Sequence, residues 1–147
     1  MNNIPEKLIE IGRQLFSQDN RCTANPMFCV QIKVRDSGYD PEYSDETHWV
    51  NMSSGDYETV DQEPEDSEGW EEFGYKDRWE TVMISFTEAG CKQYLEREGH
   101  NLKRRAHNGE VEIYVESFGR CSEMIAIREF LMQAAKEAEV TKDGVDK

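Results

Sequence analysis

The sequence contains no apolar run long enough to cross a membrane. A membrane-spanning helix needs roughly 20 consecutive apolar residues, and the longest apolar runs here, such as residues 82–84, are far shorter. The first residues also lack the basic stretch followed by an apolar one that marks a secretory signal. These two absences predict a cytoplasmic protein that makes no membrane contact.

Sequence signatures of common enzymes are missing as well. There is no Gly-rich phosphate loop, no Gly-x-Ser-x-Gly turn and no His-Glu-x-x-His. Cys91 and His100 are the residue types of a nucleophile and its base, but Cys91 lies on the apolar stripe of a predicted helix, where a thiol is more often structural than reactive. We therefore expect no enzymatic activity, no catalytic residue and no cofactor.

The cysteines form no Cys-x-x-Cys pair. They are Cys22, Cys29, Cys91 and Cys121. In a reducing cytoplasm this scattered pattern predicts free thiols that are buried as small hydrophobic side chains. A zinc site that recruits His100 or His107, or a disulfide, would be the alternative, but the spacings match no known zinc pattern. We expect no bound metal here.

Basic residues are absent from one long stretch, residues 36–72, which we call the acidic segment. It contains fourteen Asp and Glu and neither Lys nor Arg. The rest of the chain contains seventeen acidic and seventeen basic residues, so the acidic segment alone accounts for the net charge of -14. Tyrosine and tryptophan residues are interleaved with the acids, whereas a disordered acidic tail contains few aromatic residues.

A surface of carboxylates and aromatic rings can imitate nucleic acid toward a basic protein. We therefore predict a basic protein as the partner, and no direct binding of nucleic acid, because like charges repel. The predicted partner-binding residues are Asp40, Glu42, Asp45, Glu46, Asp56, Glu58, Asp61, Glu63, Glu65, Asp66, Trp70 and Glu71.

Two alternatives remain open for the charged residues. The acidic segment can be a solvated loop that only keeps the protein in solution, or it can bind divalent cations weakly, because residues 36–40 begin like a calcium loop. Pro41 and the lack of a terminal Glu argue against a specific calcium site. Lys103, Arg104 and Arg105 form the only basic cluster, which is too small beside a charge of -14 to predict a nucleic-acid site.

Hydrophobic periodicity predicts an α+β fold in a single domain, residues 1–147. Three helices are predicted, at residues 6–16, at 88–98 and from Ser122, with a frayed tail at 140–147. About four strands are predicted, at residues 28–35, 48–52, 75–86 and 110–117. The acidic segment is expected to be a long insertion, with residues 53–69 as a mobile connection and residues 100–109 as a basic loop. We expect a mostly antiparallel sheet with the helices on one face, in which the helix between the last two strands can make that pair parallel.

Five short phrases between residues 20 and 132 carry a family resemblance. They are residues 20–26 (Asn-Arg-Cys-Thr-Ala-Asn-Pro) followed by Phe28, Val30 and Gln31, residues 86–91 (Phe-Thr-Glu-Ala-Gly-Cys), residues 99–102 (Gly-His-Asn-Leu), residues 114–117 (Tyr-Val-Glu-Ser) and residues 128–131 (Arg-Glu-Phe-Leu). Together they resemble a family of small uncharacterised proteins encoded by bacteriophages and prophages. The resemblance implies a phage accessory protein made inside a bacterial host, and it transfers no residue role.

Combined with the acidic segment, this resemblance leads to a functional hypothesis. The chain is expected to be a phage-encoded acidic protein that binds and inhibits a basic host defence or nucleic-acid-processing protein by imitating nucleic acid. The alternative is a phage accessory or structural protein whose acidic loop only increases solubility.

Overall fold

A computed structural model describes residues 3–145 of the chain, and the side chains of residues 3–140. The elements are α1 (Glu6–Ser17), β1 (Pro26–Tyr39), β2 (Glu46–Asn51), β3 (Thr59–Val60), β4 (Trp70–Ser85), α2 (Glu88–Arg105), β5 (Val111–Ser117) and α3 (Ser122–Val145), with short 3-10 turns at Pro41–Tyr43 and His107–Gly109. The strands form one sheet in the order β3-β2-β4-β1-β5. The α+β class is confirmed, with five strands among the described residues instead of about four.

The chain divides into two compact units. One, which we call the helical unit, contains residues 1–32 and 81–147, and the other, the acidic unit, contains residues 33–80. The long strands β1 and β4 each contribute residues to both units. The acidic unit contains the whole acidic segment, and the three helices belong to the helical unit.

The acidic segment was predicted to be a long insertion, but in the structure it forms part of the sheet. It supplies the end of β1, all of β2 and β3, and the start of β4. Residues 53–69, expected to be a mobile connection, contain β3 and hydrogen-bonded turns. The predicted strand at residues 48–52 is confirmed as β2. The end of β1, the strand β3 and the start of β4 were not predicted, because their residues show no regular alternation of apolar and polar side chains.

The packing of α1 against α3 forms one part of the core of the helical unit. Leu15 of α1 and Leu131 and Ala135 of α3 are almost completely buried. Gly12 faces α3 so closely that a Cβ atom there would overlap the carbonyl oxygen of Leu131 and lie 2.8 Å from Cβ of Ala135. Gly12 therefore sets the distance of closest approach between the two helices.

The first half of β1 is buried on both faces, although its alternating pattern predicted one buried face. Phe28, Val30 and Ile32 are at most 1% exposed, and Gln31 on the opposite face is only 7% exposed. The side-chain amide of Gln31 donates a hydrogen bond to Oγ1 of Thr81 at 3.0 Å, which satisfies the buried polar group. The sequence pattern did not predict this, because a buried glutamine whose amide is hydrogen-bonded to a distant residue looks like a solvent-facing residue in sequence.

The pairing of β1 with β5 is antiparallel, with Phe28 opposite Val115 and Val30 opposite Ile113. Strand β1 lies between β4 and β5 in the sheet. The strands β4 and β5, which were expected to form a possible parallel pair, are therefore not neighbours. Helix α2 connects two strands that have β1 between them.

Helix α2 is longer than predicted. Its start is confirmed, since Oγ1 of Thr87 accepts a hydrogen bond from the backbone N–H of Gly90 at 3.0 Å. However, the helix continues through Gly99 and ends at Arg105, so the predicted loop at residues 100–109 is wrong. Lys103, Arg104 and Arg105 form the last turn, where cations interact favourably with the helix dipole, and the glycine is tolerated inside the helix.

The last helix also extends beyond the predicted point, since its backbone is helical to Val145. Most of the predicted frayed tail, residues 140–147, lies outside the side chains that the structure describes. Two of the cysteines, Cys29 and Cys91, are buried as predicted, whereas Cys22 and Cys121 are exposed, and all four are free. Cys22 and Cys121 lie in loops, at residues 18–25 and 118–121. The prediction treated all four thiols as buried and did not distinguish cysteines in loops from cysteines in the core.

We expect Gly12→Ala to destabilise the protein by about 1–3 kcal/mol, because the added methyl group must displace the α3 backbone. Gly99→Ala is the matched control, since a Cβ at this helical glycine meets nothing within 4 Å. That change should stabilise the protein by roughly 0.5–1 kcal/mol through helix propensity. Urea unfolding of the two variants measures both effects, and a neutral Gly12→Ala would show that α1 and α3 are not in close contact.

The thiols should differ sharply in reactivity. Burial raises the pKa of Cys91 to about 11 and also raises the pKa of Cys29, so neither forms the reactive thiolate near neutral pH. At pH 8, iodoacetamide should label Cys22 and Cys121 and spare the other two until the protein unfolds, as mass spectrometry would show. Equal labelling of all four thiols in the folded protein would contradict this burial.

The same raised pKa has a consequence for stability. A thiol that holds its proton more tightly in the folded state stabilises the protein below its ordinary pKa, which is 9.0 for a free cysteine. This contribution is lost as the pH rises from 9 toward 11. The urea midpoint should therefore fall over that range, and less so in Cys91→Ala, which has no titrating thiol.

Candidate functional site

The acidic unit is built on the strand pairs β2–β4 and β2–β3. Both are antiparallel, with Asn51 opposite Trp70 and Trp49 opposite Val60. The turns are closed by backbone hydrogen bonds from Asn51 N–H to the carbonyl of Glu58 at 2.8 Å and from Met52 N–H to that of Gly69 at 2.7 Å. Of the predicted partner-binding residues, Glu46, Trp70 and Glu71 lie on these strands, and the others lie in the turns and loops that connect the strands.

A charged contact between β1 and β4 stabilises the acidic unit. The guanidinium of Arg35 donates two hydrogen bonds to the carboxylate of Asp77, at 2.8 and 2.9 Å, and Nζ of Lys33 lies 3.7 Å from the same carboxylate. Arg35 also stacks on the ring of Tyr75, 3.6 Å from its centroid. The hydrogen bond to Asp77 raises the pKa of Arg35, so this residue stays charged at every accessible pH.

Apolar burial contributes little to the acidic unit. Val50 is its only buried hydrophobic side chain among the described residues, and His48 beside it in sequence is 3% exposed. Nε2 of His48 lies 2.6 Å from the hydroxyl of Ser37, and its ring packs against Tyr75 with centroids 4.9 Å apart. Polar and aromatic contacts therefore replace most of the usual hydrophobic core in this unit.

Every basic side chain of the acidic unit has a partner inside it. Arg78 binds Asp36 at 2.9 Å, and the ammonium group of Lys76 lies 5.2 Å from the ring centroid of Tyr39. With Lys33 and Arg35 bound to Asp77, these are all four of its basic residues, against sixteen acidic ones. The acidic unit thus has a net charge of -12 (sixteen minus four), and only Asp36 and Asp77 are neutralised by ion pairs within its described residues.

The structure places the predicted partner-binding carboxylates on the surface. All eleven are exposed, and none forms an ion pair with another described residue. They are Asp40, Glu42, Asp45, Glu46, Asp56, Glu58, Asp61, Glu63, Glu65, Asp66 and Glu71. Trp70, the predicted aromatic anchor, is half-buried in β4, so most of its surface is covered by other residues of this chain.

Other aromatic side chains are more exposed than Trp70. Tyr43 is 86% exposed in the 3-10 turn, Tyr57 is 58% exposed, and Tyr39 and Trp79 are each at least 40% exposed. The sequence predicted the aromatic interleaving and Trp70 as the contact residue, but it did not indicate that Tyr43 is the most exposed of these rings. Turn position was the available signal, because Tyr43 follows an Asp-Pro pair and is surrounded by acids, so it has no apolar neighbours to bury it.

The segment that began like a calcium loop has a different structural role. The carboxylate of Asp40 accepts a hydrogen bond from Glu42 N–H at 2.9 Å and caps the 3-10 turn, and Asp36 is bound to Arg78. Within the described part of the chain, no three His, Cys, Asp or Glu side chains are grouped to hold a metal ion. No described helix is long and apolar enough to span a membrane.

We expect Asp77→Asn to destabilise the protein by about 1–3 kcal/mol, because Lys33 and the half-buried Arg35 would both lose the carboxylate that they share. Glu63→Gln is the matched control, since it also removes one negative charge but from an exposed, unpaired side chain. Its stability should be unchanged or slightly higher, because repulsion decreases. Urea unfolding distinguishes the two, and equal effects would contradict the supporting role of Asp77.

The chain was compared with protein-family models, with curated proteins and with solved structures. None of the three comparisons gives a match. The resemblance to phage-encoded proteins stays a prediction, and the function has to be argued from the acidic unit itself.

Proposed function

We propose that the acidic unit is a binding surface for a basic protein and that it occupies a groove which otherwise binds nucleic acid. The observation that carries this proposal is the set of eleven exposed carboxylates that have no ion-pair partner among the described residues, while all four basic residues of the unit are engaged internally. Uncompensated negative charge on the surface of a folded unit is complementary to a surface rich in Lys and Arg.

A solubilising role alone explains less of the structure. Solubility requires net charge, which a flexible tail supplies, and it does not require carboxylates held on strands and hydrogen-bonded turns. Gathering a charge of -12 in 48 residues also costs repulsion energy in the free protein. A basic partner would relieve this repulsion, which gives the ordered arrangement a physical reason.

The exposed aromatic rings support the same proposal. Tyr39, Tyr43 and Tyr57 lie among the carboxylates in sequence and are all more than 40% exposed. Tyrosine adds contact area at low cost in side-chain entropy and can donate a hydrogen bond. The carboxylates would therefore attract and orient the partner, and the rings would provide short-range contact after docking.

The biological setting of this proposal comes from the resemblance to phage-encoded proteins. A phage accessory protein with this surface would inhibit a host defence or nucleic-acid-processing protein by competing with DNA or RNA for its groove. Competition of this kind needs no catalytic residue, because the bound carboxylates simply exclude the phosphates.

Salt and DNA test this proposal on a partner captured from bacterial lysate. Exposed charges act over about 8 Å at physiological ionic strength and over shorter distances in higher salt. The complex should therefore weaken steadily with salt, and excess duplex DNA should displace the protein. Changing Asp61, Glu63, Glu65 and Asp66 together to Asn or Gln should slow association about tenfold or more and leave dissociation nearly unchanged, as surface plasmon resonance would measure.

The control is a variant with the same change in net charge outside the acidic unit. Glu96, Glu98, Glu116 and Glu123 are exposed residues of the helical unit, and their combined change to Gln should leave association within about twofold of the unchanged protein. A partner whose affinity is independent of salt, or that binds the acidic-unit variant as well as the control, would leave the acidic unit with a solubilising role.

A further inference from the structure

The helical unit has an exposed apolar groove that the proposed function does not use. It lies between α1 and α3, has a volume of about 1060 Å³ and is lined by Phe16, Phe130, Met132 and Ala135, among others. Phe16 is 56% exposed and Phe130 is 43% exposed. Two aromatic side chains this exposed in one groove, on two adjacent helices, indicate a contact surface.

The charged residues that line this groove are balanced. Arg13 and Lys136 contribute two positive charges, and Glu129 and Glu139 contribute two negative ones. Arg13 and Glu139 bind each other at 3.1 Å. Glu129 and Lys136 are both exposed, and neither forms an ion pair with a described residue. Glu129 and Lys136, both on α3, can therefore form ion pairs with another molecule.

The spacing of these two residues is self-complementary. Glu129 and Lys136 are seven residues apart on α3, which is about two turns, so they lie on the same side of the helix. The midpoint between them falls at Met132 and Gln133. A second α3 placed antiparallel across a two-fold axis at this midpoint would bring Glu129 opposite Lys136 of the second copy, and Lys136 opposite its Glu129.

We propose that the groove between α1 and α3 is the interface of a homodimer, in which the two copies of α3 pack antiparallel about Met132 and Gln133. Phe16 and Phe130 of each copy would supply the apolar centre of the contact. Two Glu129–Lys136 pairs would form its rim and fix the register.

Charge favours a second copy of this chain over other occupants. The helical unit has fifteen acidic and thirteen basic residues, a net charge of -2, against -12 for the acidic unit. Two molecules of charge -14 therefore meet with least repulsion through the helical unit. A strongly basic or acidic protein would gain little from a neutral rim, whereas the seven-residue spacing of opposite charges suits a symmetric pair.

Sedimentation equilibrium of the full chain over a range of concentrations tests the dimer. Phe130→Ser should raise the dissociation constant at least tenfold, because it removes an apolar contact from both sides of the two-fold axis. Circular dichroism would confirm that the variant is folded, as expected for a side chain that is 43% exposed. A chain that is monomeric at all concentrations would overturn the proposal.

Charge exchange tests the register. Glu129→Lys alone and Lys136→Glu alone should each weaken the dimer about tenfold, because each places two like-charge pairs across the axis. The double variant should restore dimerisation. An equal mixture of the two single variants should also dimerise, because every charge pair in the mixed dimer is again opposite in sign. Glu96→Lys, an exposed site on α2 with the same charge change as Glu129→Lys, is the control and should have no comparable effect.

These outcomes separate the dimer from its competitors and from the proposed function. If neither Phe130→Ser nor either charge change raises the dissociation constant of the dimer, the interface lies elsewhere and this inference is wrong. Dimerisation should persist as salt rises, because its apolar contacts do not depend on charge and because screening weakens the repulsion between two acidic chains as well as the Glu129–Lys136 pairs. Partner binding by the acidic unit should weaken under the same conditions, so either proposal can fail without the other.

Discussion

The paired hydrogen bonds between Arg35 and Asp77 are the interaction on which the acidic unit depends. A unit with a charge of -12 and one buried aliphatic side chain among its described residues cannot be stabilised mainly by apolar burial. The guanidinium instead joins β1 to β4 and stacks on Tyr75. Because Lys33 and Arg35 share Asp77, the basic residues hold the sheet together and are not available to neutralise the surface.

This use of the basic residues determines the electrostatics of the surface. Arg78 and Lys76 are also engaged within the unit, with Asp36 and the ring of Tyr39 respectively. The carboxylates on the turns and strands therefore keep their charge and remain exposed. The same contacts that stabilise the unit thus generate the negative surface from which its proposed binding function follows.

The helical unit follows the more common rules of folding. Its core consists of apolar residues from the three helices and β1, and the close approach of α1 and α3 depends on Gly12. The unit also has several exposed large apolar side chains, and Phe16 and Phe130 are the two of these that line the groove between α1 and α3. A balanced rim with an unpaired Glu129 and Lys136 distinguishes this groove electrostatically from the acidic unit and gives the chain two surfaces of different character.

The sequence by itself determined the elements with strong periodicity, namely α1, the start of α2 and the strand β5, because one apolar face per element leaves a clear pattern. It also located the excess of negative charge, which depends only on composition. Only the tertiary structure decided that the acidic segment also supplies the end of β1, the strand β3 and the start of β4, that Gln31 is buried and that Trp70 is less exposed than Tyr43. Each of these depends on partners distant in sequence, such as Thr81 for Gln31 and Asp77 for Arg35, and no local pattern contains that information.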